Sequence, residues 1–401
     1  MQTVLSNSKS KIIPQPKSLR INFFVQYVYE QGTYFRFHNL ALGLTQLGHS
    51  VTIWGTDFTK SVPKFRTQIK DGITYHIISG NKMQSLFGQH AHPITSIRRI
   101  FLKYPKADVN HMFQPFLTVA TAWHSQFTNA SLNVYDWDDL WTGGLYNAPP
   151  KSLAEHWSQK WVAYLEKFLP QKAQLVTVCS NYLLQFAKAC NANDVRLLYN
   201  GFWPNKNIPN KTDARKQLGL NENAIYLGFM GRTHNEIEWC FIALSQVCKI
   251  YKNIRLAICG CGNYIFNNIS PNLLNHIDYL GFLSPARAEV FAAAMDIGLL
   301  PLQDEPFNRS RFPIKLAHYQ AMGTIVLYSN IGEAGKVAAE LPWNLNAGAT
   351  QLSWNNAFQE ACYLAQANLL PKVNLQILEK ALSWNVICKS LEEAYFSKLS
   401  A

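Results

Sequence analysis

Charge is scarce in this 401-residue chain, and acid scarcer than base: Asp and Glu number 25, Lys and Arg 37, and charged residues make up 15% of the whole. With aromatics at 13% and hydrophobic residues at 48%, disorder is excluded for most of the chain, because disordered segments are charge-rich and aromatic-poor. No cysteine occurs before Cys179; the others are Cys190, Cys240, Cys248, Cys259, Cys261, Cys362 and Cys388. They form no C-x-x-C pair, so neither a zinc module nor a disulfide framework is indicated. Reduced thiols in a cytoplasmic protein are expected instead. Residues 1–19 lack the apolar core of a signal peptide and read as a flexible lead-in. Residues 109–135 contain no charged side chain, but Gln114, Pro115, His124, Gln126, Asn129 and Asn133 interrupt them, which argues against a membrane span.

The length suits two domains. Apolar runs of strand length at Ile21–Val25, Val51–Trp54, Ile73–Ile78, Val109–Met112, Val134–Tyr135 and Leu175–Val178 alternate with helical stretches. After Gln31-Gly32-Thr33, for example, Phe37, Leu40, Ala41 and Leu44 recur on one helical face until Gly48. Residues 200–213, rich in Asn and Pro, read as a linker. The pattern then restarts, with strands at Tyr226–Met230, Arg255–Ile258, Tyr279–Leu280, Ile297–Leu300 and Ile325–Leu327, and a helix from Ile237 to Tyr251. An α/β protein with two Rossmann-like, doubly wound domains facing across a cleft is expected, with sites at the carboxyl ends of the strands.

The formal charge of +12 is uneven. Residues 1–200 hold 20 basic and 10 acidic side chains, whereas residues 201–401 hold 17 and 15. Between Asp71 and Asp108 there is no acid, while Lys82, Arg98, Arg99, Lys103 and Lys106 are present. Two readings follow: a solvated face, or a surface that meets anionic lipid. Nucleic-acid binding is disfavoured by the low charge density and the absence of a recognised module.

Three segments carry chemistry. In 228–236, GFMGRTHNE, the turn Gly231-Arg232 follows a strand and precedes a helix, where an Arg can grip a phosphate with two hydrogen bonds. In 306–323, PFNRSRFPIKLAHYQAMG, a polar loop of Asn308, Arg309, Ser310 and Arg311 meets Pro313 and Lys315 on a first helical turn. Three cations beside helix-start amides would cradle a diphosphate. In 135–141, YDWDDLW, the carboxylates of Asp136, Asp138 and Asp139 alternate with Trp137 and Trp141. Carboxylates accept hydroxyl hydrogen bonds and indole faces pack on sugar CH groups; magnesium binding is the alternative. His111 also sits at a strand end, where a lone histidine is more often a packing residue.

Taken in order, GTYFRFHNLALGLTQLGHSVTIWG, NVYDWDDLW, LVTVCSNYL, YNGF, YLGFMGR, LAICGCG, IDYLGFLS and NRSRFPIKLAHYQAMGTIVL resemble a bacterial glycosyltransferase of the family 4 type, with the two-domain GT-B fold. The resemblance runs from about residue 20 to the end, where LSWNVICKSLEEAYFSKL looks like the family's closing helix. It implies an acceptor-side domain over 20–203, a nucleotide-sugar donor domain over 204–380, and a helix over 381–401 that returns to the first domain. It also implies sugar transfer with retention at the anomeric carbon, without metal or other cofactor, onto a glycan or lipid-linked acceptor. Arg232 matches the family's phosphate-binding Arg, and Ser310–Lys315 its diphosphate loop. Leu280–Leu283 corresponds to the loop beside the base, and Gly32-Thr33 to the loop that approaches phosphates and acceptor.

The pattern departs from the family where paired glutamates fall on Ser310 and His318, and where a lysine falls on Ile237. Arg232 and Lys315 are thus the groups expected to neutralise the leaving diphosphate, with Asp136 and Asp139 orienting the acceptor hydroxyl. Gly32, Thr33, Gly231, Leu283, Asn308, Arg309, Ser310 and His318 are expected on the donor, and His111, Trp137 and Trp141 on the acceptor side. The competing expectation is a non-catalytic relative that binds sugar or nucleotide. The basic first half adds the expectation of a peripheral association with the inner face of an anionic membrane.

Overall fold

The computed structural model describes residues 18–59, 65–79, 90–205, 207–231, 236–267 and 269–400. Two sheets organise them. The first contains β1 (Arg20–Tyr27), β2 (Ser50–Asp57), β3 (Phe65–Lys70), β4 (Ile73–Ser79), β5 (Val109–Phe113), β6 (Leu132–Trp137), β7 (Leu175–Val178) and β8 (Val195–Leu197). Its order is β3-β4-β2-β1-β5-β6-β7-β8. Only β3 runs antiparallel, in register with β4 from Phe65↔Ile78 to Lys70↔Ile73. The second sheet is wholly parallel: β9 (Ile225–Met230), β10 (Ile254–Cys259), β11 (Ile277–Tyr279), β12 (Ile297–Leu300), β13 (Ile325–Tyr328) and β14 (Leu345–Asn346), in the order β11-β10-β9-β12-β13-β14.

Both orders reverse at one point, β1/β5 in the first sheet and β9/β12 in the second. Ligands of such sheets bind outside the strand ends at that point. The loops after β1, β5, β6, β9 and β12 are therefore where a site belongs.

Helices α1 (Tyr34–Gln46), α2 (Pro93–Ile100), α3 (Leu117–Ser125), α4 (Leu153–Lys172) and α5 (Asn181–Ala189) cover the first sheet. The second is served by α6 (Lys211–Leu218), α7 (Ile237–Val247), α8 (Pro271–Leu274), α9 (Pro285–Ala294), α10 (Pro306–Ser310), α11 (Lys315–Ala321), α12 (Gly332–Ala339), α13 (Gln351–Gln366) and α14 (Leu375–Leu382). Sequence periodicity accounts for α1 directly, since Phe37, Leu40, Ala41 and Leu44 are all buried. Ser152 and Ser383 start α4 and the last helix, α15 (Trp384–Leu399), by accepting the Glu155 and Val386 amides.

α15 crosses back onto α1. Gly43 allows that approach, because a Cβ there would collide with Cys388 Sγ. His49 Nε2 meets Glu392 Oε1 at 2.9 Å, Lys398 Nζ meets Asp194 Oδ2 at 2.9 Å, and Phe202 and Trp384 exchange backbone bonds with the end of α14 and with each other. The core under α1 and α15 is one of two; the other runs from the opposite face of the first sheet into the second domain.

Several expectations change. The helix from Ile237 stops at Val247 rather than Tyr251. The polar loop 308–311 is instead the end of α10, with Asn308 and Ser310 buried. Pro313 precedes α11, whose N-cap is Ile314. Arg99 leaves the basic surface altogether: it is buried, and its guanidinium donates to Val25 O at 2.8 Å and Trp54 O at 3.0 Å, because its helix faces the sheet there. Lys82 lies outside the described residues.

Candidate active site between the domains

On the first-domain wall, Gly32 turns the chain with φ +54, and a Cβ there would meet Tyr27 Oη at 2.9 Å. Thr33 follows, buried, and its hydroxyl oxygen accepts from Gln114 Nε2. Gln114, itself at φ +67 after β5, donates its amide to Asp136 O at 3.3 Å. The ends of β1, β5 and β6 are tied together in this way.

Beneath them Arg36, in the first turn of α1, forms a two-pronged pair with Asp136: Nε to Oδ1 at 2.7 Å and Nη2 to Oδ2 at 2.8 Å. Thr177 Oγ1 donates to the same Oδ2 at 2.6 Å. Burial alone would lower the Arg36 pKa, but the Asp136 carboxylate outweighs it and raises it. Asp136 is fully buried with both oxygens engaged. The expectation that it orients an acceptor hydroxyl is corrected: it anchors Arg36, whose Nη1 reaches Tyr199 O at 3.3 Å and Asn200 Oδ1 at 3.0 Å.

His111 and Trp137 are corrected likewise, both being fully buried. His111 Nδ1 lies 2.6 Å from Tyr395 Oη in a cluster with Phe23 and Phe113, so it belongs to the packing beneath α15. Trp137 Nε1 donates to Asp139 O at 2.9 Å and braces that turn from inside. Trp141, partly exposed, meets the rings of Phe116 at 4.7 Å and His90 at 5.1 Å, and its buried Nε1 has no partner.

Asp138 and Asp139 are the carboxylates left for a ligand. Burial raises both pKa values; for Asp138 the neighbouring Asp139 and Asp136 charges add to this, and for Asp139 the Arg311 guanidinium opposes it. Asp138 Oδ1 is buried without a partner among the described residues.

The second-domain wall presents the Arg311 guanidinium to Asp139. Arg311 Nη2 lies 3.7 Å from Glu236 Oε1, its guanidinium sits 4.3 Å from the Phe307 ring centre, and its buried Nε is unpartnered among the described residues. Lys315 opens α11 with Nζ 4.6 Å above the Phe229 ring. Among the described residues Nζ has no hydrogen-bond or ion-pair partner. Burial, then the Arg311 charge, pushes Lys315 down to about 8. Asn308 Nδ2 donates to Glu236 Oε1 at 2.9 Å, while its buried Oδ1 has no partner among the described residues. Burial brings His318 down to about 4, so it is neutral near pH 7.

The expected three-cation cradle becomes two. Arg309 is exposed and held by Asp304, Nε to Oδ1 at 2.5 Å and Nη2 to Oδ2 at 2.8 Å. Ser310 serves the domain interface instead: its hydroxyl donates to Phe307 O at 2.8 Å, and its carbonyl accepts from Ser180 Oγ at 2.5 Å. Gly231 (φ +116) bonds to Cys259 O at 3.0 Å, and Gly260 N to Gly281 O at 2.8 Å. The loops after β9, β10 and β11 thus lie side by side, with Leu283 partly buried just beyond. Arg232 lies outside the described residues.

Arg36, Gln114, Glu236 and Glu333 were not singled out from sequence as site residues, and Arg311 was named there only as one of the three expected cations. Glu333 joins the domains, accepting from Asn181 N at 2.7 Å, Asn181 Nδ2 at 2.8 Å and Tyr199 Oη at 2.7 Å. Asn200 Nδ2 adds a bond to Phe312 O at 2.8 Å. Among the described residues no group of three His, Cys, Asp or Glu side chains is arranged to hold a metal ion.

Two doubly wound domains with facing strand ends define the GT-B glycosyltransferase fold. Within the second domain, residues 223–344 match the model described as glycosyl transferases group 1. The sucrose-phosphate synthase of Thermosynechococcus elongatus superposes with a TM-score of 0.72 at 16% identity, over 96% of this chain and 100% of that one. Anabaena HepE, solved with UDP, gives 0.66 at 16% identity over 94% and 100%. Starch synthase IV of Arabidopsis thaliana, bound to ADP and acarbose, gives 0.68 at 14% identity over 96% and 100%. At these identities the likeness establishes the fold. In sequence the chain is 22% identical over 224 residues to TuaH of Bacillus subtilis, a glycosyltransferase named for teichuronic acid biosynthesis. That match spans about half of each protein, 51% of this chain and 52% of TuaH.

Proposed function

We propose that the chain is a retaining, metal-independent glycosyltransferase that moves a sugar from a nucleotide-sugar donor onto a glycan or lipid-linked acceptor. The observation that carries this reading is Arg311, whose charge acts on Asp139 across the cleft, with the Lys315 charge next to it and unpaired among the described residues. Charge grows on a departing nucleoside diphosphate in the transition state, and cations fixed in a poorly hydrated cleft stabilise it. With its pKa at about 8, Lys315 still holds its proton at neutral pH. Arg232, two residues beyond β9 in sequence, would be a third cation. Neutral His318 and the free Asn308 carbonyl are suited to hydroxyl groups of the donor, and Asp139 and Trp141 to the acceptor. UDP in HepE and ADP in starch synthase IV support a nucleoside diphosphate as the ligand class.

The test incubates the protein with UDP-, GDP-, ADP- and CDP-sugars, with and without EDTA, and follows diphosphate release and the anomeric signal of the product by NMR. One donor should turn over in EDTA with its anomeric configuration kept, and Lys315→Met should slow turnover by about 10²–10³-fold. Binding of a diphosphate without turnover against any acceptor would favour the non-catalytic reading. Absence of both binding and turnover would sink the proposal.

A further inference from the structure

The outward face of α4 is built unlike the rest of the surface. Trp157, Trp161, Tyr164 and Phe168 follow one another along it at helical spacings of three and four residues, with ring centres 5.7, 5.9 and 5.3 Å apart. Trp157 is 42% and Tyr164 53% exposed, and Leu153, at the start of the helix, is 87% exposed. Lys160 and Lys167, seven residues apart and exposed, run beside the stripe, and Lys172 Nζ lies 5.3 Å over the Phe168 ring. The helix has two carboxylates, and neither opposes these lysines. Glu166 is buried on the Trp141 and Thr142 amides, and Glu155 accepts the Lys151 amide at 2.7 Å.

We propose that this face of α4 docks on an anionic lipid bilayer, with the rings of Trp157 and Tyr164 and the side chain of Leu153 at headgroup level and Lys160 and Lys167 against the phosphates. Three features select a bilayer over water. The Tyr164 phenol, apolar in body and polar at one edge, favours the headgroup region, and Trp157, whose Nε1 donates to Ala91 O at 3.0 Å, adds its exposed ring face. Lysines beside a helix's apolar stripe add attraction for anionic lipid. Among the described residues the face carries positive charge with no free acid to balance it, which is the complement of that surface. Among the described residues no helix is long and apolar enough to cross a membrane, so the association would be peripheral. The docking element is α4, not the stretch between Asp71 and Asp108 that charge counting favours, since Arg99 of that stretch is buried.

Flotation of the full chain with phosphatidylglycerol vesicles and with phosphatidylcholine vesicles tests this directly. The protein should float with the first and not the second, and 0.5 M salt should release it. The double variant Leu153→Ser/Tyr164→Ser and the charge reversal Lys160→Glu/Lys167→Glu should each cut the bound fraction about tenfold. All four side chains face solvent, so melting temperature and turnover of a soluble donor and acceptor should stay as in the parent. No flotation, or flotation that both variants leave unchanged, would overturn the proposal. So would a dimer by light scattering that both variants dissociate, because the face would then belong to a second copy. Loss of flotation with turnover intact keeps this inference separate from the enzymatic reading.

Discussion

Arg36 and Asp136 meet through two parallel hydrogen bonds of 2.7 and 2.8 Å beneath the floor of the cleft, although 100 residues separate them in the chain. Both side chains are almost wholly buried, at 2% and 0% exposure. Removing one member of such a pair strands the other charge, which costs about 3–5 kcal/mol. Asp136→Ala and Arg36→Ala should therefore each lower the urea midpoint by that equivalent without changing the m-value. A loss under about 1 kcal/mol would mean that water reaches the pair and that it is not the anchor described here.

Lys315 gives the cleft a pH signature. Burial and the Arg311 charge bring it from 10.5 to about 8. If its cation neutralises the leaving group, turnover should fall as pH rises through about 8, and Lys315→Met should lose about 10²–10³ in kcat together with that limb of the profile. The effect on stability has the opposite direction. Between pH 8 and 10.5 the unfolded chain keeps the proton that the folded chain has released, so this group makes stability rise with pH there. A parent enzyme with a flat profile from pH 7 to 10 would remove Lys315 from the charge-stabilising role.

Much of the fold was legible because parallel strands buried on both faces read as unbroken apolar runs, as Ile297–Leu300 and Ile325–Tyr328 do. β3 was not, because FRTQIK is largely exposed and becomes a strand only by pairing with β4. Within the site, sequence drew attention to Lys315 and the Asp138-Asp139 turn but could not separate a carboxylate aimed at the cleft from one aimed at the core. Asp136 faces Arg36 because β6 and α1 are neighbours in space, a relationship that local pattern does not encode. Asn308 and Ser310 look like loop residues by polarity, and only the fold shows that they are buried in α10.

The return of α15 onto the first domain can be tested at one atom pair. Gly43 lies so close to Cys388 that a Cβ would overlap Sγ and Cβ of that residue, with Trp203 at 3.4 Å on the far side. Overpacking of this kind costs about 1–3 kcal/mol. Gly43→Ala should destabilise the protein by that amount, even though alanine is the better helix former by about 1 kcal/mol. Gly43→Ala/Cys388→Gly should recover most of the loss, because it removes the atoms that collide. Stabilisation by Gly43→Ala alone would show that α15 sits farther from α1.

Glu333 offers a way to weaken the domain interface without touching the cleft. Its carboxylate, 3% exposed, accepts three donors from the first domain: the Asn181 amide, the Asn181 side chain and the Tyr199 hydroxyl. The first of these amides begins α5, so a negative charge there also meets the positive end of the helix. Glu333→Gln keeps the shape but turns one acceptor into an NH₂ facing an N–H donor, and bonds to a charged acceptor are worth about 1.5–3 kcal/mol. The domains should then spend more time apart, because each retains its own sheet and core while the interface loses its strongest tie. Small-angle scattering should show a larger radius of gyration, unchanged far-ultraviolet circular dichroism should exclude unfolding, and donor KM should rise more than kcat falls. Tyr199→Phe, which removes one of the three donors, should give a smaller change in the same direction. Scattering identical to the parent in both variants would place the domain tie elsewhere, in the Asn200 and Ser180 bonds to the α10–α11 segment.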